Sequence, residues 1–184
     1  MLARARRVVD GGGVIAYPTE GVFGLGCNPF DVPALARVGA IKRRGARKSY
    51  ILLAASVAQI ETLVEFRDPS ERTRVLATWP GPVTWILRAG RRLPIHLRGP
   101  GGTIAVRVTS HRLAALLCAR CGPLVSTSAN LAGHRPARET AEVRWRFSGA
   151  IDLTVAGIVG DLRGPTEIRD ARNGRIVRRG ASLR

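Results

Sequence analysis

The chain confines its apolar residues to short runs of three to six, each cut off by proline, glycine or a hydroxyl residue. Val14–Tyr17 stops at Pro18, Tyr50–Ala55 stops at Ser56, and Thr103–Val108 stops at Thr109. Val83–Leu87 follows the rigid turn Trp79-Pro80-Gly81-Pro82, and Leu124–Ser126 runs on into Thr127-Ser128-Ala129-Asn130. Runs this short and rich in β-branched residues make buried strands rather than helices. Thr19–Asn28 carries Gly21, Gly24 and Gly26 and reads as a turn and strand whose backbone approaches something closely.

Between these runs lie segments of helical period. Leu2–Val9 is closed by Gly11-Gly12-Gly13, and Asp31 caps a helix to about Arg43 with Leu35, Val38 and Ile41 on one face. Ser56 is expected to cap a helix over Val57–Val64, Ser70 one to about Ala77, Ser110 one over His111–Arg120, and Thr140 one to about Phe147. Short strands are expected near Ile151–Val155, Gly157–Val159, Glu167–Asp170 and Arg175–Arg178. The irregular alternation predicts one α/β domain over residues 1–184 with a mixed parallel and antiparallel sheet and flanking helices. No linker, repeat or low-complexity tract divides it.

No run of 18 apolar residues is present, so no transmembrane helix is expected. The basic N-terminal stretch has no apolar core of a signal peptide, and the three cysteines form no disulfide framework. These features lead to the expectation of a cytoplasmic protein. The formal net charge of +17 predicts attraction to polyanions. Of 30 basic residues only Lys42 and Lys48 are lysine. Arginine replaces lysine freely where charge alone matters, and less freely where a compact ammonium on a flexible stem is needed. The two lysines are therefore informative.

The phosphate loop GxxxxGK[ST], the dinucleotide fingerprint GxGxxG, HExxH and an EF-hand loop are all absent from the sequence. Any nucleotide site must be assembled from scattered pieces. Cys118-x-x-Cys121 has no matching second pair, and His96, His111 and His134 are isolated, so these read as structural residues. More telling are Tyr17-Pro18-Thr19-Glu20 after a strand, Lys42-Arg43-Arg44 at a helix end, and Ser126-Thr127-Ser128-Ala129-Asn130 after a buried strand. Strand and helix ends are where α/β proteins bind ligands. Hydroxyls and an amide there hold anions by neutral hydrogen bonds, while lysine and arginine supply charge.

In this order the pieces resemble the YrdC-like family of threonylcarbamoyl-AMP synthases, from about Gly12 to Gly180. The blocks are VIAYPTEGVFGLGCNP (14–29), IKRRG (41–45), WPGPVTWIL (79–87), TIAVRV (103–108), LVSTSANLAG (124–133) and GPTEIRD (164–170). The resemblance implies an open, twisted sheet around a basic concave cavity. It also implies synthesis of L-threonylcarbamoyl-adenylate from L-threonine, bicarbonate and ATP, with Mg²⁺ on the ATP and pyrophosphate released. The product would serve N6-threonylcarbamoylation of the tRNA adenosine beside the anticodon, performed by a TsaD/TsaB/TsaE-type transferase. Residue by residue, it assigns Lys42 and Arg44 to catalysis and nucleotide phosphates, and Thr103, Ser126, Ser128, Asn130 and Thr166 to ATP. Thr19 and Arg107 fall to L-threonine. Two positions depart from the family pattern: Gly45 stands where proline usually follows KxR, and Gly21 where threonine is common. The competing reading is a non-catalytic protein that binds double-stranded RNA or tRNA on the basic surface. The low aromatic content, 5%, weighs against stacking platforms for single strands.

Overall fold

The computed structural model describes residues 1–43 and 50–183. Arg44, Gly45 and Lys48, singled out above, lie outside the described residues. Among the described residues ten strands form one mixed sheet: β1 (Ile15–Pro18), β2 (Phe23–Gly26), β3 (Ile51–Ala54), β4 (Val64–Glu65), β5 (Val83–Ala89), β6 (Thr103–Val108), β7 (Leu124–Ser128), β8 (Leu153–Thr154), β9 (Glu167–Asp170) and β10 (Ile176–Arg178). Their order is β10-β9-β5-β6-β3-β7-β2-β1-β8, with β4 added beside β5. The pairs β1–β8, β3–β6 and β5–β9 are parallel, and the others are antiparallel. Five helices flank the sheet: α1 (Leu2–Asp10), α2 (Val32–Ile41), α3 (Pro69–Leu76), α4 (Arg112–Cys121) and α5 (Thr140–Arg146).

Strand alternation decides what each face does. On β6, Ile104, Val106 and Val108 enter the main core with Trp85 and Leu87 of β5, beneath Leu35 and Val38 of α2 and Val75 of α3. The intervening residues Ala105 and Arg107 of β6 and Ile86 of β5 face the other way and line a cavity. On that second face α1 and α4 pack over Leu53, Ile15 and Tyr17, while Val143 and Phe147 of the α5 region join Phe23 and Leu25 of β2 in a separate cluster on the first face. Among the described residues no helix covers the rest of that second face.

Several expected boundaries are corrected. The segment 57–64 is not an α-helix but a 3₁₀ turn at Val57–Gln59 followed by β4. Tertiary bonds override its helical pattern: Gln59 accepts from the Ala55 amide at 2.8 Å and donates to the Cys118 carbonyl at 2.8 Å, and Gly90 N–H bonds Leu63 O at 2.9 Å. Asp68, not Ser70, caps α3, because Pro69 is preorganised for the first helical turn. His111, not Ser110, caps α4 through Nδ1, and Glu139, not Thr140, caps α5 in a reciprocal box with Glu142. Residues 157–159 form no strand. Helix α2 stops at Ile41, with Lys42 as its cap and Arg43 at φ 49°, a left-handed turn that redirects the chain.

Candidate active site

The uncovered part of the sheet is the floor of a cavity of about 340 Å³. Ile51, Ile86 and Ala105 form an apolar base, and Lys42, Arg107 and Arg178 bring three cations to the walls. Among the described lining residues there is no carboxylate. Thr19, Lys42, Arg107, Ser126, Ser128, Asn130 and Thr166, dispersed over nearly 150 positions, all line it. Thr103 does not. It shares the Ala105 face but sits two residues away, about 7 Å along the strand, and its hydroxyl donates to Pro100 O at 2.9 Å.

One wall is a loop organised by Lys42. Its ammonium is buried, 5% exposed, and donates to the carbonyl of Ser128, to the carbonyl of Asn130 at 3.0 Å and to Asn130 Oδ1 at 3.0 Å. Asn130 Oδ1 also accepts from Ser128 Oγ at 2.6 Å, and its Nδ2 donates to the carbonyls of Leu131 and His134, each at 2.9 Å. The amide and the ammonium thus lock residues 128–134 into one conformation. Ser126 lies one turn of the pleat deeper, close enough to Gly24 that a Cβ there would come within 3.1 Å of its hydroxyl. Burial pushes the Tyr17 phenol well above its ordinary range, against the opposing effects of Ser126 and Arg107.

The opposite wall is built on Arg107. Its Nη1 donates to Thr166 Oγ1 at 2.8 Å and Thr84 Oγ1 at 3.2 Å. Its Nη2 lies 3.1 Å from Glu20 Oε2, with both side chains about 5% exposed. Glu20 Oε1 accepts from Thr109 Oγ1 at 2.7 Å. Glu20 Oε2 and Arg107 Nε have no hydrogen-bond partner among the described residues, so the pair is held by charge more than by hydrogen-bond alignment. Thr19 spends its hydroxyl on Val22 O at 2.7 Å, which fixes the turn that carries Glu20.

Sequence reasoning missed Arg178, Thr84 and the role of Glu20. Arg178 comes from β10 and donates to Thr166 O at 2.7 Å. Burial and the like charge of Arg107 lower its pKa, yet a guanidinium stays cationic. One arginine among 28 gave no signal in the sequence. Gly21 packs so tightly that a Cβ would sit 2.0 Å from Gly164 O. The cysteines stay outside this chemistry: all three are free, and burial pushes the thiols of Cys27 and Cys118 up to about 12.

The family model Sua5_yciO_yrdC, described as telomere recombination, matches residues 7–180. The threonylcarbamoyl-AMP synthase of Nitrosococcus oceani is 50% identical over 175 residues, 95% of each chain. That of Coxiella burnetii strain RSA 331 is 49% identical over 168 residues, covering 91% of this chain and 90% of its own. Among solved structures, P. abyssi Sua5 complexed with L-threonine superposes with a TM-score of 0.90 at 28% identity, over 97% of this chain. This chain spans 54% of that longer protein.

Proposed function

The chain belongs to the YrdC/Sua5-like threonylcarbamoyl-AMP synthase family, and on that premise we propose that it makes L-threonylcarbamoyl-adenylate from L-threonine, bicarbonate and ATP, releasing pyrophosphate. The observation that carries this reading is the convergence of Lys42, Arg107 and Arg178 on one cavity that no carboxylate among the described residues lines. Bicarbonate, the threonine carboxylate and the triphosphate are all anionic, and cations above an apolar floor attract them more strongly than in water.

The threonine amine adds to CO₂ derived from bicarbonate: the N–C bond of a carbamate forms, and the hydroxide shed by bicarbonate and the proton lost by nitrogen leave together as water. A carbamate oxygen attacks the α-phosphorus of ATP, the new P–O bond forms, and the bond to pyrophosphate breaks. Negative charge moves toward the leaving group, so fixed cations lower the barrier without reorganising. Arg107, held by Thr84, Thr166 and Glu20, offers the threonine carboxylate a preset cation beside Thr19. Lys42 and the loop of Ser128 and Asn130 face the phosphates, with Ser126 and Thr166 supplying hydroxyls; the resemblance gives Arg44, outside the described residues, to the same phosphates, and Thr103, whose hydroxyl is committed to Pro100 O, takes no step here. The described lining residues do not build a carboxylate cage for Mg²⁺, so the ion enters as part of the MgATP substrate. The mixed anhydride product is a reactive acyl donor, and we assign its use to a TsaD/TsaB/TsaE-type transferase acting on tRNA.

The test is pyrophosphate release by the purified protein with all three substrates. Release that requires both threonine and bicarbonate, with threonylcarbamoyl-adenylate found by mass spectrometry, is the expected result. A folded protein whose pyrophosphate release ignores threonine overturns the proposal.

A further inference from the structure

A second concavity lies on the other side of the loop that Lys42 organises. Leu131, His134, Arg135, Trp145 and Arg146 line a groove of about 530 Å³. Trp145, on α5, is 81% exposed, whereas Trp79 is 8% and Trp85 0% exposed. The neighbours of Trp145 in the groove are basic. His134, Arg135 and Arg144 are exposed. Arg146 is held against the groove by the Arg135 carbonyl at 2.6 Å and by Glu142 at 3.3 Å. Glu142 is itself committed, since its other oxygen accepts from the Arg138 amide at 2.7 Å. Its carboxyl is held below the ordinary range first by that amide, with burial opposing and Arg146 adding to the shift.

We propose that this groove docks an unpaired base of single-stranded RNA, with the base stacked on Trp145 and the flanking phosphates on Arg135 and Arg146, the two arginines that line it. An aromatic face ringed by arginines is the combination that grips a splayed-out base and its backbone. A duplex presents no free base face to an indole, so the groove discriminates loops from helices. The net charge of +17 supplies the long-range attraction, and Trp145 supplies the local preference. The groove and the cavity share one loop: Ala132 and Gly133 line the cavity, while Leu131, His134 and Arg135 line the groove. Asn130 fastens that loop through Leu131 O and His134 O, so the RNA seats one loop away from the adenylate site.

The proposal stands apart from the synthase reading, because RNA binding is measured without turnover. Trp145 is the one well-exposed tryptophan, so quenching of intrinsic fluorescence reports it selectively. The probes are an RNA hairpin with a single-stranded loop and a blunt duplex of the same stem. The hairpin is expected to quench and the duplex is not. Trp145→Ala should weaken hairpin affinity by roughly five- to 150-fold and leave duplex affinity unchanged. Trp145→Phe, which keeps a stacking face, should retain most of the hairpin affinity. Arg135→Ala should reduce the log–log salt slope of hairpin binding by about 1. An exposed position tolerates these changes, and unchanged thermal melts check this. Equal quenching by hairpin and duplex overturns the proposal. Unchanged hairpin affinity in Trp145→Ala also overturns it and leaves the face to a protein partner.

Discussion

Replacing Glu20 by glutamine removes one charge from the most buried ion pair of the site. The Arg107 and Glu20 side chains are 5% and 6% exposed, at an N–O separation of 3.1 Å. Glutamine keeps the shape, and its carbonyl still accepts from Thr109. The guanidinium of Arg107 remains charged, desolvated and paired only with the two hydroxyls of Thr84 and Thr166. Removing one partner of a buried pair costs about 3–5 kcal/mol, because the other charge stays behind. For a chain of this size, each kcal/mol lowers Tm by about 2–4 °C, so Glu20→Gln should melt roughly 6–20 °C lower. Urea denaturation followed by intrinsic tryptophan fluorescence, to which the buried Trp79 and Trp85 contribute, gives the same quantity as a fall in midpoint at constant slope. Arg107→Met should be costly for the mirror reason. The double variant Glu20→Gln/Arg107→Met should lose less than the sum of the singles, with a coupling of about 1.5 kcal/mol or more. If Arg107 is the preset cation for threonine, Glu20→Gln also raises the KM for threonine more than that for ATP. A Glu20→Gln stability within about 0.5 kcal/mol of the parent, the range of ordinary surface changes, or strict additivity in the cycle, refutes the reasoning.

Two further perturbations test the neighbouring wall and the sheet edge. Gly21→Ala places a Cβ 2.0 Å from Gly164 O and 2.8 Å from Leu162 Cβ, so the segment before Thr166 must move. A loss of about 1–3 kcal/mol and a higher threonine KM are expected, and unaltered melting would show that the contact relaxes freely. The Asp170 carboxyl is held below its ordinary value, first by the hydrogen bond from the Arg172 guanidinium, with burial opposing and the Arg172 amide reinforcing it. Its folded pKa lies below the unfolded one, so its contribution is present above about pH 4 and fades as pH falls through the folded value. The stability gap between parent and Asp170→Asn should therefore be widest near neutrality and close in acid; a gap that does not change with pH would contradict this.

The strands were legible as short apolar runs, though which face each residue takes became visible only in the structure. On β6 the structure sends Ile104, Val106 and Val108 to the core and Ala105 and Arg107 to the cavity. Helix starts were less legible because three residue types compete for each cap. The sequence offered Ser70, Ser110 and Thr140, but a proline one residue earlier, a histidine ring nitrogen and a glutamate box decided otherwise. Residues 57–64 carry a helical pattern that long-range bonds of Gln59 and Gly90 overrule, information that lies outside the segment. At the site, short motifs announced Thr19, Lys42, Ser128 and Asn130. Arg178 stayed hidden because an arginine-rich composition masks any single arginine. Gly21 read as a lost hydroxyl, whereas the structure shows a backbone approach that admits no side chain without movement.

The scarcity of lysine acquires a physical reason at position 42. One nitrogen there serves two carbonyls and an amide oxygen, all belonging to residues 128 and 130. A tetrahedral ammonium points three protons into such a small basin of acceptors. A guanidinium spreads five donors over a plane and cannot gather three acceptors around one atom. Charge alone would have been met by arginine, as it is at 28 of the other 29 basic positions. Lys42→Arg should therefore fail as a conservative change. It keeps the cation but displaces the Ser128–Asn130 loop, so kcat falls nearly as far as in Lys42→Ala while the two variants differ in net charge. Circular dichroism and melting identify any global unfolding, and the ATP KM together with kcat reads the site. An active Lys42→Arg protein would show that position 42 supplies only a positive field, and the three-acceptor argument would then be wrong.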